Sequence, residues 1–209
     1  MCFNKNIKSF FVKIILCIVF IFSYYKTSSQ NYEDTCDLKK LYEFTSLKEA
    51  LANPLEVYSL NLKKKKLTSI PSEIFTLKNL KVLNLSKNHI KNVPEEIGKL
   101  TNLVELDLSN NKINILPPSI GNLINIKKLI LNKNKIEFLP KEISNLSNLE
   151  ILDLWGNQIT EFPEEIKKLN YTLKILDLRV IFMTQKQQDN IQKLLPDVNI
   201  YFSKGCNCK

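Results

Sequence analysis

The feature that most constrains this chain is a 23-residue repeat through its middle. Apolar residues recur in fixed columns from Leu80 onward, and each copy has an asparagine at the same position, with a proline six positions later. The asparagines are Asn88, Asn111, Asn134 and Asn157, and the prolines are Pro94, Pro117, Pro140 and Pro163. One copy of this length cannot bury its apolar side alone, so neighbouring copies must stack and share a core. The pattern therefore predicts a solenoid.

Each copy divides into a strand half and a turn half. Leu83 and Leu85 are two residues apart, so they point to the same face of a short strand, and the residue between them points outward. In the second half of each copy, a proline, an isoleucine and a leucine follow at intervals of three, which suits 3₁₀ turns. Stacked copies would then place parallel strands about 4.8 Å apart.

The repeated asparagines are predicted to form a structural ladder. A side-chain amide can donate and accept at a bend where neither helix nor sheet satisfies the backbone. We therefore expect Asn88, Asn111, Asn134 and Asn157 to be buried, with both ends of each amide engaged. This role is structural rather than catalytic.

The motif L-x-x-L-x-L-x-x-N-x-I with a downstream P-x-x-I-x-x-L resembles the leucine-rich repeat, in the 23-residue form common in bacterial proteins. The resemblance covers residues 57–180, with four complete repeats and a degenerate one at each end, where Lys65 and Ile181 replace the asparagine. It implies an α/β fold, a curved right-handed coil stack with a parallel β-sheet on its concave face. Caps at both ends are expected, because a stack exposes its apolar interior there.

Both predicted caps contain a short helix. In the N-terminal cap, residues 30–56, a helix begins after Thr45 or Ser46 and ends at Ala52. In the C-terminal cap, residues 181–209, an amphipathic helix covers residues 185–195, and Val198, Ile200 and Phe202 alternate as a final short strand. Residues 203–209 are expected to form a loose tail.

Residues 1–29 have the order of a secretory signal peptide. Four lysines and no acid accompany the apolar run from Ile14 to Phe22, and small polar residues follow. A spanning helix needs roughly 20 apolar residues, so we expect cleavage near Gln30, with an uncleaved signal anchor as the alternative. The chain is then predicted to be exported, either secreted or held at the cell envelope or surface. At opposite ends of the stack, Cys36 and Cys206 should lie too far apart to pair.

Composition disfavours several functional classes. The 30 basic residues include one arginine, Arg179, so the forked side chain preferred for base and phosphate recognition is scarce and nucleic acid is not expected. With four glycines and one histidine, neither a glycine-rich phosphate loop nor a histidine metal cluster is expected. We predict no cofactor, no metal, no small-molecule substrate and no enzymatic activity.

The predicted partner is a protein that binds the concave face. Outward positions in the C-terminal half carry Ile130, Ile151, Ile175 and Trp155, where a merely soluble protein favours polar residues. The charged residues predicted to flank them are Asp107, Asp153, Asp177 and Arg179. We interpret the chain as a non-catalytic interaction module, with surface adhesion or host interaction as one use.

Two other functions stay open. The lysines, above all the run Lys63 to Lys66, suit an envelope structural protein or one that binds an anionic surface, although membrane contact is not favoured. Similar repeats also precede the catalytic domain of effector enzymes of the ubiquitin-ligase kind. The 29 residues after Val180 are expected to be too few for such a domain.

Overall fold

The computed structural model describes residues 43–203, and these form a single parallel sheet of eight strands in sequence order. The strands are β1 (Glu43–Phe44), β2 (Ser59–Asn61), β3 (Val82–Asn84), β4 (Glu105–Asp107), β5 (Lys128–Ile130), β6 (Ile151–Asp153), β7 (Ile175–Leu178) and β8 (Asn199–Phe202). The α/β leucine-rich repeat solenoid predicted from the repeat is confirmed. We number the coils from one to six, beginning with β2 and ending with β7.

The register follows the repeat. Leu83 in β3 pairs with Leu106 in β4, 23 residues later, whereas Ile151 in β6 pairs with Ile175, 24 residues later. The additional residue lengthens the turn half of the fifth coil, where a 3₁₀ helix runs over eight residues, Glu164–Tyr171. An insertion on the turn side leaves the strand pairing intact, because only the strands carry the shared register.

The turn halves form 3₁₀ helices, as their three-residue spacing predicts. Those of the first four coils have five residues each, Ser72–Thr76, Glu95–Lys99, Pro118–Asn122 and Lys141–Asn145. A proline is the residue before each helix, where its fixed φ and missing N–H cost nothing. The isoleucine inside each one is buried in the core.

The asparagine ladder joins each coil to the one before it. The side-chain nitrogen of Asn111 donates to the carbonyl oxygens of Leu85, at 3.0 Å in the preceding coil, and of Leu108, at 2.9 Å in its own. Its oxygen accepts from the N–H of Ile90 at 3.0 Å. Asn88, Asn134 and Asn157 are likewise buried and make equivalent bonds. The ladder therefore satisfies backbone groups that the sheet leaves unpaired.

Helices and strands also cover the two ends of the stack. Helix α1 (Leu47–Ala52) follows Ser46 and buries Ala50, and a 3₁₀ helix at Pro54–Glu56 leads into the first coil. Helix α2 (Gln185–Leu194) begins with a capping box between Thr184 and Gln187 and buries Ile191. These helices and β8 lie at the positions where the sequence places cap elements, whereas β1 was not predicted, because two residues carry no readable alternation.

Several predictions fall outside the described residues. The signal peptide at residues 1–29, Cys36, Cys206, Cys208 and the tail beyond Ser203 all lie there. Within residues 43–203, no helix is long and apolar enough to span a bilayer.

Candidate functional site

The outward face of the sheet, which we call the strand face, carries three columns of side chains. The first column is Ser59, Val82, Glu105, Lys128, Ile151, Ile175 and Asn199. The second is Asn61, Asn84, Asp107, Ile130, Asp153, Asp177 and Tyr201. The third stands two residues further along each coil and is Lys63, Ser86, Ser109, Asn132, Trp155 and Arg179.

Most side chains of the second column terminate their strands. The carboxylate of Asp107 accepts a hydrogen bond from the N–H of Ser109 at 2.9 Å. Asn61, Asn84, Asp153 and Asp177 accept in the same way from the N–H two residues on. These side chains therefore accept a hydrogen bond from a backbone N–H near the end of each strand. One oxygen of each predicted flanking aspartate is already occupied by this local bond.

Among the six coils, Ile130 is the exception in this column. An aliphatic side chain cannot accept the hydrogen bond that asparagine or aspartate accepts in the neighbouring coils. Ile130 lies half-buried between Asp107 on one side and Asp153 on the other. An apolar group thus replaces a strand-terminating acceptor on the outward face.

The structure brings the predicted apolar residues together across three neighbouring columns. Ile151 and Ile175 are direct neighbours in the first column, and Ile130 and Trp155 occupy the second and third columns close by. All four are half-buried, so part of each side chain is open to solvent. Asp107 lies two strands before β6, further from Trp155 than the other predicted charges.

Both the backbone and the side chain of Trp155 make contacts within the protein. Its N–H donates to Asp153 at 3.1 Å, and Gly156 follows it in a left-handed conformation with φ of 67°. The ammonium nitrogen of Lys133, from the preceding coil, lies 4.5 Å from the centroid of the indole ring. An ammonium group over an indole is attracted by the ring's electron density. Lys133 therefore orients the ring without covering it fully.

Arg179 and Asp177 form a two-pronged ion pair at the far end of the strand face. The guanidinium donates from Nε to both carboxylate oxygens, at 3.0 and 3.2 Å, and from Nη2 to Oδ2 at 2.6 Å. These bonds and the negative charge of Asp177 raise the pKa of Arg179 above its usual value. Asp177 is buried, with 9% of its surface exposed, so Arg179 is the member of the pair that a ligand can reach.

Sequence reasoning missed three neighbours of these residues. Tyr201 is exposed, and its ring centroid lies 5.9 Å from the Arg179 guanidinium carbon. Asn132 donates to Asp153 at 2.5 Å, and Lys133 contacts Trp155. Tyr201 could have been found, because the inward alternation of Val198, Ile200 and Phe202 places it outward. The alternation also places Asn132 outward, in the third column, but nothing in the sequence signals its bond to Asp153 or the contact of Lys133 with Trp155.

A second charged group stands where the strands begin. Glu150 contacts Lys174 at 2.5 Å and Lys127 at 3.9 Å, in the coils after and before its own. The hydrogen bond from Lys174 is the main reason that the pKa of Glu150 is below its usual value. This triad links three coils through exposed charges.

The strand face is equipped for non-covalent contact. It offers partly exposed apolar and aromatic groups beside fixed charges, with hydrogen-bonding side chains between them. Among residues 43–203, no group of three histidine, cysteine, aspartate or glutamate side chains is placed to hold a metal ion.

Comparisons with known proteins agree with this architecture. The family model described as "Leucine rich repeat" matches residues 56–113 and 101–159. A solved leucine-rich repeat protein of Leptospira interrogans is similar, with a TM-score of 0.63 and 41% identity, over 71% of this chain and 36% of that one. A search of curated proteins found no significant match.

Two further solved structures share the fold. An internalin from Listeria monocytogenes is 23% identical, with a TM-score of 0.64 over 77% of this chain and 45% of that one. The leucine-rich repeat ectodomain of the plant membrane receptor kinase GASSHO1/SCHENGEN3 from Arabidopsis thaliana, solved in complex with Casparian strip integrity factor 2, is 32% identical. Its TM-score is 0.62, over 78% of this chain and 20% of that one.

This chain spans less than half the length of each of these three solved structures. The eight-stranded parallel sheet, the asparagine ladder and the matching family model lead to one conclusion. The chain belongs to the leucine-rich repeat proteins.

Proposed function

We propose that this protein is a non-catalytic module that binds another protein through the C-terminal half of its strand face. The contact surface, which we call the apolar platform, consists of Ile130, Ile151, Ile175 and Trp155. The observation that carries the proposal is Ile130, which stands where the other coils place a hydrogen-bonding residue. An apolar side chain at that position serves the isolated fold poorly and serves a contact surface well.

Trp155 is the expected anchor of the contact. Tryptophan is enriched among the few residues that dominate interface energetics, and truncating such a residue costs about 2 kcal/mol or more. Because the ammonium group of Lys133 already lies over the indole ring, less side-chain freedom is lost on binding. The partner would cover the ring on the side that remains open.

The charges around the platform would select the partner. Arg179 presents an exposed guanidinium that Asp177 already orients, and Asp153 and Asp107 add negative charge beside the isoleucines. Charges at the rim of an interface influence association rate and partner choice more than affinity. A plant receptor ectodomain with this fold, solved with a bound factor, supports a protein partner in general.

We further propose that the protein acts outside the cytoplasm, as a secreted or surface-held module in adhesion or host interaction. The basic start and short apolar run of residues 1–29 support export. Mass spectrometry of the exported form should find a chain that starts near Gln30. An extracytoplasmic form that keeps residues 1–22 would contradict cleavage.

Truncation of the anchor tests the binding surface. Once capture against host and bacterial surface proteins has identified a partner, Trp155→Ala should weaken its binding about 30-fold, which corresponds to about 2 kcal/mol. Phe182→Ala is the matched control, because Phe182 is a fully exposed aromatic residue outside the platform. Both variants should melt near the wild-type temperature. A Trp155→Ala protein that binds normally, or that unfolds, would place Trp155 in the scaffold.

A further inference from the structure

A second surface lies beside the strand face, on the edge where the chain leaves each strand. In the first four coils, this edge carries exposed lysines directly after the strand ends. They are Lys64, Lys65, Lys66, Lys87, Lys91, Lys112, Lys133 and Lys135, which we call the lysine edge. The proposed function above makes no use of seven of them.

The repeat arranges these lysines in files along the stack. Lys64, Lys87 and Lys133 occupy one repeat position, with left-handed φ values of 59°, 56° and 53°, and Asn110 fills the gap in the third coil with φ of 54°. Lys66, Lys112 and Lys135 occupy another position, where the second coil has His89. Successive coils advance by about 4.8 Å, the spacing between strands. Positive charge therefore recurs at short intervals along one direction.

The lysine edge carries charges without acidic partners in the described part of the chain. Within residues 43–203, none of the eight lysines forms an ion pair. Lys127 and Lys174, by contrast, share Glu150 at the start of their strands. Like charges at this spacing repel one another and create a positive potential that an anionic ligand would relieve.

Three of these lysines line a shallow groove within the lysine edge, where the positive potential is concentrated. Its charged lining consists of Lys87, Lys112 and Lys133, with His89 beside them, and its volume is about 400 Å³. Asn88, Asn110 and Asn111 complete the lining, so the groove contains no acidic side chain. Lysines from three successive coils thus line one depression.

We propose that the lysine edge binds a linear sulfated polysaccharide that lies along the stack. Such a polymer carries an anionic group on successive sugars, so one chain can contact lysines of several coils at once. Lysine suits this ligand, since its ammonium group is a point charge that tolerates varied sulfate positions. Phosphate and base recognition in nucleic acids favours the fork of arginine, which the lysine edge does not contain.

A lipid surface fits the lysine edge less well. Membrane-docking surfaces place cations beside apolar side chains that enter the bilayer. The exposed apolar residues on this flank are Ile115 and Phe138, in the third and fourth coils. Five of the eight lysines, Lys64, Lys65, Lys66, Lys87 and Lys91, lie in the first two coils instead.

Charge reversal at the groove tests the proposal. A heparin-derived octasaccharide should bind the purified protein, and Lys87→Glu/Lys112→Glu should weaken this binding at least about tenfold. The slope of log affinity against log salt concentration should also become shallower by about two. Each ionic contact releases about one counterion on binding, and the variant lacks two of these contacts. The matched control, Lys78→Glu/Lys141→Glu, changes net charge equally at exposed positions on the turn side. It should bind within about twofold of wild type.

A gain-of-function variant makes the test independent of damage to the fold. Asn110→Lys completes the file of Lys64, Lys87 and Lys133 and should tighten octasaccharide binding about two- to fivefold, because it adds one contact.

Four outcomes would overturn the proposal. They are undetectable octasaccharide binding near 0.15 M salt, equal losses in the two charge-reversal variants, tighter binding to single-stranded DNA of matched charge, and binding to phosphatidylserine vesicles that the octasaccharide fails to displace. None of them bears on the apolar platform, because these variants leave Trp155 and the isoleucines unchanged.

Discussion

The apolar platform and the lysine edge lie on neighbouring positions of the same repeat, yet their chemistry is opposite. The position directly after the third column is Lys64 of the lysine edge in the first coil and Gly156, beside Trp155 of the platform, in the fifth. Around the platform the charges are paired, as Arg179 is with Asp177, whereas the lysines of the edge have no such partner within residues 43–203.

The difference shows that scaffold and surface are separate in this protein. Both regions share the buried leucines, the strand pairing and the asparagine ladder, so the backbone is nearly the same in every coil. The side chains that differ are those that no neighbour in the core constrains. One repeated frame can therefore present two unrelated surfaces, and changes to frame and surface should have distinct effects.

Disrupting the buried scaffold that all coils share should have the largest effect, and it should damage both surfaces together. Asn111→Ala removes the partner of Leu85, Leu108 and Ile90 backbone groups. We expect a loss of about 2 to 4 kcal/mol in unfolding free energy, since each stranded buried group costs about 1 to 3 kcal/mol. Urea unfolding measures it, and exposed Asn114→Ala is the control. Equal unfolding midpoints would contradict the ladder's role.

Replacing Ile130 by the asparagine that other coils carry at this position should affect partner binding more than fold stability. Ile130→Asn supplies the acceptor that Asn61 and Asn84 provide in their coils, and an uncharged residue avoids repulsion from Asp107 and Asp153. We expect stability within about 1 kcal/mol of wild type, because a new hydrogen bond offsets lost apolar contact.

The same variant should bind the protein partner about tenfold more weakly, which corresponds to about 1.4 kcal/mol. Thermal melting and titration of one preparation give both quantities. Unchanged affinity with raised stability would show that Ile130 is merely an imperfect repeat residue.

Lys133 belongs to the lysine edge and also contacts Trp155 of the platform, so its substitution should affect both surfaces. Lys133→Gln removes the ammonium group from the indole ring of Trp155. An exposed contact of this kind is worth about 0.5 to 1 kcal/mol, so partner binding should fall about two- to fivefold. Because Trp155 is the only tryptophan, its fluorescence should shift as well. Lys135→Gln, in the same coil, should leave the fluorescence and partner binding unchanged.

The smallest effect should come from the triad of Glu150, Lys127 and Lys174, whose charged side chains belong to neither surface. The pKa of Glu150 is lowered from its usual 4.5, so its charged form stabilises the fold at neutral pH. This contribution is present above the unfolded pKa and disappears as the pH falls through the lower, folded value. Between pH 7 and pH 3, Glu150→Gln should therefore lose slightly less stability than wild type. An identical pH profile would mean that the pair contributes nothing measurable, as for many exposed pairs.

Some parts of the candidate site were accessible to sequence reasoning and others were not. The outward positions of Ile130, Ile151, Ile175 and Trp155 followed from the alternation of strand residues, which local geometry alone imposes. The local hydrogen bonds of Asp107 and Asp153 could not be predicted in this way. The sequence does not show whether a side chain accepts a hydrogen bond from the backbone N–H two residues later. Asp177 was expected at an open rim and is instead buried beneath Arg179.

The solenoid, its strand register and the identity of its asparagine ladder follow from the sequence, because a 23-residue repeat leaves one way to bury the leucines. The contacts between side chains that are distant in the chain, such as Lys133 with Trp155 and Arg179 with Tyr201, are seen only in the three-dimensional structure. It also gathered Lys87, Lys112 and Lys133 around one groove. These contacts depend on the direction of each side chain and on whether it is long enough to span about 5 Å between coils. Neither periodicity nor composition encodes these two properties.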